Sequence, residues 1–298
     1  MLNLNKLLCN FPEQFDECLG TLDHSLSCSP NLQADLRFHY VQFDGDGEPK
    51  FERLAELLVH SIITYCFGAK KRENLSAVEA AKLFTQARDL FRKYEHDGQA
   101  GEVLIYFLLE SVLGAPQVIQ KMPVTTNPKE ERKGSDGLHA RWNEKLGLLD
   151  IFFAESKLHQ SFSGALTDAF ASMESIHSKK KRHEFFLATH NIQHLGLETE
   201  QELLKYLTGK PGTKVRTNHA CLLGFDWKEY TNLALPGRAE FIAAFADRYR
   251  NEALPLRDKI NSKLHGCAIK HLRFEFLVLP FTSVADFRSF FNSALVGK

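Results

Sequence analysis

The sequence predicts an α/β (α+β) fold, a mixed sheet flanked by helices. Short apolar or alternating runs suited to strands occur at residues 36–43, 148–154, 219–225 and 271–279. Between them lie segments whose apolar residues recur at helical spacing, so the period of the pattern switches repeatedly between 2 and 3.6. No internal repeat or low-complexity tract interrupts that alternation.

The elements follow in order. Residues 36–43 alternate as a strand, and the acidic turn Asp44-Gly-Asp-Gly-Glu48 follows. That turn resembles the opening of a calcium loop. It has Pro49 where such a loop needs glycine and Ala55 where it needs glutamate, so calcium is excluded. A helix then carries Leu54, Leu57, Leu58, Ile62 and Tyr65 on one stripe. Ser76 and Glu79 form a capping box ahead of a second helix with Ala80, Leu83, Phe84, Ala87, Leu90 and Phe91 inward. Gly98 and Gly101 break the chain before residues 102–110, which are apolar almost all round. A buried helix is expected there despite Glu102 and Glu110.

Residues 127–135 read as a polar loop. After the strand at 148–157 come a helix at 161–177, a basic run Lys179-Lys180-Lys181-Arg182 and a strand at 184–189. Thr199 and Glu202 cap a short helix, and residues 208–214 form a turn that lacks the Gly-Lys-Ser/Thr of a phosphate loop. A strand at 219–225, a long helix at 237–263 kinked or broken by Pro255, a strand at 271–279 and a helix at 283–295 complete the chain. Phe274 and Phe276 are expected in the core rather than on a nucleic-acid-binding sheet. Length suggests two units, an N-terminal α+β region at 1–96 and a second domain at 97–298.

Composition narrows the function. Of 298 residues, 37 are Lys or Arg and 37 are Asp or Glu, so any surface for nucleic acid is a local patch. The six cysteines make no CxxC pair and no Cys/His zinc spacing. Without a signal-like N-terminus or a run near the ~20 apolar residues of a membrane span, a cytoplasmic protein with reduced thiols is expected, with no membrane partner.

One stretch carries chemistry. The apolar run 148–154 ends in Glu155-Ser156-Lys157, and charges at the end of a buried strand are costly unless paired or bound to a metal. A hairpin over 137–157 with its turn at 143–147 pairs positions that sum to 291. Leu149, Ile151, Phe153, Glu155 and Lys157 then share a face opposite Trp142, Ala140, Leu138 and Asp136. Asp136 thus faces Glu155, with Lys157 one step on, and Glu102 is a third carboxylate within reach. Two close carboxylates repel unless a cation sits between them, and hard oxygen ligands favour Mg²⁺ or Mn²⁺. A lysine beside such an ion suits phosphodiester hydrolysis. The plainer alternative is a strand-end salt bridge. His139 falls on the opposite face, as does Asp150, which therefore serves as an off-site control. His159 lies beside the motif and is a lesser candidate for touching DNA. Lys179, Lys180, Lys181 and Arg182 are candidate phosphate contacts, or else a solvated helix end.

The order of a helix with Glu102, a hairpin with Asp136 then Glu155-x-Lys157, and a helix resembles the PD-(D/E)xK nuclease superfamily. The wider chain is similar to the HamA family of Hachiman anti-phage defence systems, through Gly101-Glu-Val-Leu, Gly134-Ser-Asp-Gly-Leu-His, Phe153-Ala-Glu-Ser-Lys157 and His219-Ala-Cys-Leu-Leu-Gly-Phe225. Ser135 stands where the superfamily has proline before the aspartate. The resemblance implies a restriction-endonuclease-like sheet and a Mg²⁺- or Mn²⁺-dependent DNase restrained by a HamB-like helicase subunit. It implies that Asp136 and Glu155 hold the metal, joined by the Ser156 carbonyl. Lys157 would position the attacking water or offset phosphorane charge, and Glu102 would support the metal or its waters, with Glu110 the less favoured carboxylate. The competing expectation is a non-catalytic nuclease-fold subunit that binds the helicase or nucleic acid. The intact Asp136, Glu155 and Lys157 set favours the enzyme.

Overall fold

The computed structural model describes residues 3–93, 98–119, 135–180, 197–230 and 238–297. It is a mixed α+β fold. The helices are α1 (Pro12–Cys18), α2 (Phe51–His60), α3 (Ile62–Cys66), α4 (Ala69–Arg72), α5 (Ala77–Lys93), α6 (Gln99–Ser111), α7 (Phe162–Ser175), α8 (Leu197–Leu207), α9 (Arg238–His265) and α10 (Val284–Val296). The strands are β1 (Leu19–Thr21), β2 (Gln33–Val41), β3 (Gln117–Ile119), β4 (Gly137–Asn143), β5 (Leu148–His159), β6 (Val215–Asp226) and β7 (Arg273–Phe281). They form one sheet in the order β1-β2-β7-β6-β5-β4-β3.

Strands β2, β7, β6 and β5 run parallel, and antiparallel strands flank them on both sides: β1 on β2, and the meander β3-β4-β5. Parallel neighbours need a crossover, and the β5 to β6 connection carries α7 and α8. The first 96 residues contribute β1 and β2 to the same sheet as the strands of residues 97–298. One core cluster likewise joins Phe38 and Leu54 to Phe276 and Phe291.

The hairpin register is the expected one. Gly137 pairs with Ala154, Leu138 with Phe153, Ala140 with Ile151 and Trp142 with Leu149, closed by a turn in which Gly147 takes φ +59°. A positive φ there favours glycine. Alternation sends Leu149, Ile151 and Phe153 to one face, clustered with Leu138, Ala140 and Leu203 of α8. Phe152, Ala154 and Leu158 go to the other face and join the main core with α6.

Several local expectations change. Of the kink or break expected at Pro255, the break does not occur: α9 runs through it. Thr199 sits inside α8, which begins at Leu197. Helix α7 stops at Ser175, and a π-helical turn (Ile176–Lys180) continues it. The polar loop at 127–134, the strand expected at 184–189 and Lys181 and Arg182 lie outside the described residues. Phe274 and Phe276 are buried and stacked on one another, with Phe170 of α7 over both. Among the described residues no helix is long and apolar enough to cross a membrane.

Candidate active site

The site forms where β4 begins and β5 runs on past it. Strand β5 continues beside β6 through His159↔Phe225, whereas its pairing with β4 stops at Gly137↔Ala154. Backbone groups at such an edge need partners. Asp136 supplies them: its N–H donates to the Ala154 carbonyl (2.8 Å), and its Oδ2 accepts the Ser156 N–H (2.6 Å). The aspartate is thereby pinned opposite Glu155.

Glu155 is buried, and its Oε1 lies 2.7 Å from Lys157 Nζ. Its Oε2 is buried with no hydrogen-bond partner among the described residues. A bare carboxylate oxygen in a core is costly, so it points to a cation or donor that completes it. Burial lifts the Asp136 carboxyl well above its usual range, and repulsion from Glu155 and Glu102 adds to the lift. The Ser156 N–H and Lys157 only partly offset them. Burial alone would lower Lys157, but Glu155 and Asp136 more than compensate and hold the ammonium above its ordinary value. Cys221, paired with Glu155 across β5 and β6, is pushed well up by burial and then by the Glu155 charge.

Glu102 arrives on the first turn of α6, and Gly101 explains how that helix comes so close. A Cβ at Gly101 would sit 2.5 Å from Ser156 Oγ and 3.3 Å from Leu158 Cγ. Any side chain there would force Ser156 and Leu158 to shift, so glycine suits this close approach of helix to strand. Tyr65 of α3 is buried, and its hydroxyl donates to Glu102 Oε2 at 2.9 Å.

The remaining candidates separate cleanly. Glu110 is a staple: its Oε2 accepts the N–H groups of Cys9 and Asn10 and the Asn10 side-chain amide. Its Oε1 accepts the Gln117 N–H. His139 is buried, with Nδ1 2.7 Å from the Ala115 carbonyl oxygen, a structural role on the far face as expected. His159 stands 3.4 Å from Asp168. Lys179 and Lys180 fall in the π-helical turn. Among the described residues no three His, Cys, Asp or Glu side chains form a ready-made metal cage. None of the six cysteines forms a disulfide.

The HamA family model matches residues 14–295, nearly the whole chain. The chain belongs to the HamA family. HamA membership points to a protein of the Hachiman defence systems. No curated protein matches the chain. The span matched to HamA takes in Tyr65, Glu102, Asp136, Glu155 and Lys157 together.

Two features of this HamA chain escaped the sequence reading. Tyr65 reads in sequence as one more member of an apolar stripe, and only its polar tip hints at a partner. Asp150 reads as a bystander but is fully buried. Its Oδ1 accepts Arg216 Nε (2.6 Å) and its Oδ2 accepts Arg216 Nη2 (2.8 Å), with Asn143 and Asn218 each at 3.1 Å. It ties the hairpin to β6.

Proposed function

We propose that this HamA-family chain is the metal-dependent DNase effector of a Hachiman system, of PD-(D/E)xK type, held in check by a helicase partner. The observation that carries the reading is the strand-end group of Asp136, Glu155 and Lys157, with one buried Glu155 oxygen unpartnered among the described residues. The helix, hairpin, helix order is in place: Glu102 on α6, Asp136 ahead of β4, Glu155 and Lys157 on β5, then α7.

The residues fit Mg²⁺ or Mn²⁺. The donors are carboxylate and carbonyl oxygens, and Asp136 is raised first by burial and then by its carboxylate neighbours, a repulsion a cation would relieve. Mg²⁺ keeps several waters and needs only one or two protein carboxylates, so the lack of a three-residue cage is compatible with it. Asp136 and Glu155 would hold the ion with the Ser156 carbonyl, and Glu102 would support its waters. A divalent ion bound there supplies a Lewis acid for the phosphoryl oxygen and a water of lowered pKa. Lys157, held charged, orients the attacking water or offsets charge on the phosphorane. Lys179 and Lys180, with Lys181 and Arg182, would grip flanking phosphates at a salt-dependent affinity.

The test is degradation of plasmid DNA with Mg²⁺, with and without EDTA. Cleavage that persists in excess EDTA rejects the metal. The Lys157–Glu155 contact at 2.7 Å favours a second reading, a plain ion pair in a non-catalytic interaction subunit. Inertness of the wild-type chain toward DNA, alone and with its helicase, would favour that reading. For the partner, co-expression with the neighbouring helicase should give one peak in size-exclusion chromatography; separate elution at micromolar concentration counts against it.

A further inference from the structure

We propose that Tyr65 is a positioning residue for this site, acting through Glu102; the inference rests on the nuclease reading above. Tyr65 lies on α3, in the N-terminal region and far in sequence from the hairpin. Its ring is fixed between Phe91 (5.9 Å) and Tyr106 (5.4 Å), so the hydroxyl has little freedom of direction. That hydroxyl donates to Glu102 Oε2 at 2.9 Å. A neutral donor on a carboxylate is a charge-assisted bond, stronger than a neutral pair and directional.

The consequence reaches the site by charge. Gly101, the residue before Glu102, lies against Ser156, whose N–H donates to Asp136 at 2.6 Å, so Glu102 enters beside the carboxylates of the site. Where Glu102 points therefore sets how much negative field meets a cation at Asp136 and Glu155. Gly101 brings α6 onto β5, and Tyr65 fixes the rotamer of the next residue. The two features do different jobs: one sets the helix distance, the other the carboxylate direction. Groups that hold a ligand or its waters in place affect metal affinity itself, by roughly 10–100-fold in other metal sites.

Tyr65→Phe removes only the hydroxyl and keeps the ring, so the packing against Phe91 and Tyr106 persists. The experiment is Mn²⁺ titration of the full chain without DNA, followed by electron paramagnetic resonance of free Mn²⁺. It is run on wild type, Tyr65→Phe, Glu102→Gln and the double variant, with Mg²⁺-dependent cleavage measured alongside. Tyr65→Phe should weaken Mn²⁺ roughly tenfold, and the same change in the Glu102→Gln background should add nothing. Raising Mg²⁺ should restore much of the cleavage lost in Tyr65→Phe. Unchanged Mn²⁺ affinity in Tyr65→Phe, with wild type binding normally, overturns the inference and leaves the nuclease reading standing. An equal weakening in both backgrounds also overturns it, because Tyr65 would then act by a route other than Glu102. A wild-type chain that binds no Mn²⁺ and cuts no DNA overturns both.

Discussion

Strand β5 buries two carboxylates, Asp150 and Glu155, and treats them in opposite ways. Both are almost wholly removed from water, at 0% and 3% exposure, so burial does not distinguish them. Partners do. Burial pushes the Asp150 carboxyl up, yet the Arg216 fork, Asn143 and Asn218 overcome it and hold it below its usual value. Among the described residues Glu155 has one lysine contact and one bare oxygen, and its neighbour Asp136 is lifted well above the ordinary range. Glu110 on helix α6 shows that the kind of partner matters too: four neutral donors satisfy it, yet burial still holds its carboxyl above its ordinary value. A fully paired buried acid is scaffold. An under-paired one is poised for something the protein alone does not supply.

The largest expected effect tests the under-paired end. Glu155→Gln should lower DNA cleavage by on the order of 10²–10³-fold, the usual cost of removing a charge placed at the reacting phosphate. Its melting temperature should hold, because a neutral amide in that place relieves the repulsion on Asp136. Lys157→Ala should be as inactive but less stable, since it leaves Glu155 buried without its cation. Near-normal cleavage by folded Glu155→Gln would return the site to the status of a salt bridge.

The paired end should fail differently. Asp150→Asn strands Arg216, and breaking a buried pair from one side costs about 3 kcal/mol. The cost should appear as a lower thermal midpoint, while activity per folded molecule well below that midpoint stays close to wild type. If Asp150→Asn were as inactive as Glu155→Gln at unchanged stability, the separation of the two faces would be wrong.

Much of this contrast was legible in the sequence, and the reasons are local. The hairpin register followed from period-2 alternation and a short turn, both confined to about twenty residues, so Asp136 opposite Glu155 could be read directly. The buried character of α6 followed from its all-round apolar pattern. What was hidden is non-local. Nothing in residues 33–41 announces that they pair in parallel with β7, more than two hundred residues away. For the same reason Asp150 read as a silent control: its partner Arg216 lies on a strand whose position depends on the whole sheet. Tyr65 was visible only as part of a core stripe, because helical spacing reports burial and not where a hydroxyl points.

The smallest effect concerns another buried carboxylate, one that falls between the two extremes of β5. Glu275 on β7 has Arg37 at 3.4 Å and Arg273 at 3.6 Å, and Arg273 also pairs with Asp35. Burial pushes its carboxyl up, Arg37 draws it back, and the nearby Asp35 raises it again, to about 7. Arg37 and Arg273 therefore do not achieve what the bidentate Arg216, with Arg141 at 3.9 Å, achieves for Asp150, because Asp35 competes for Arg273. A carboxyl raised in the fold favours the folded state while it is protonated. That contribution is complete below its ordinary value of 4.5 and fades as pH rises through about 7. Glu275→Gln stays neutral throughout, so its stability relative to wild type should improve between pH 5 and pH 8, by on the order of 1–2 kcal/mol. Thermal melts of both proteins at the two pH values measure the change directly, and any constant offset from lost ion pairing cancels. A difference that is flat, or that moves the other way, would mean that Arg37 and Arg273 hold Glu275 ionised in the fold. Glu275 would then belong with Asp150 among the fully paired acids, and partial pairing would no longer mark an intermediate class.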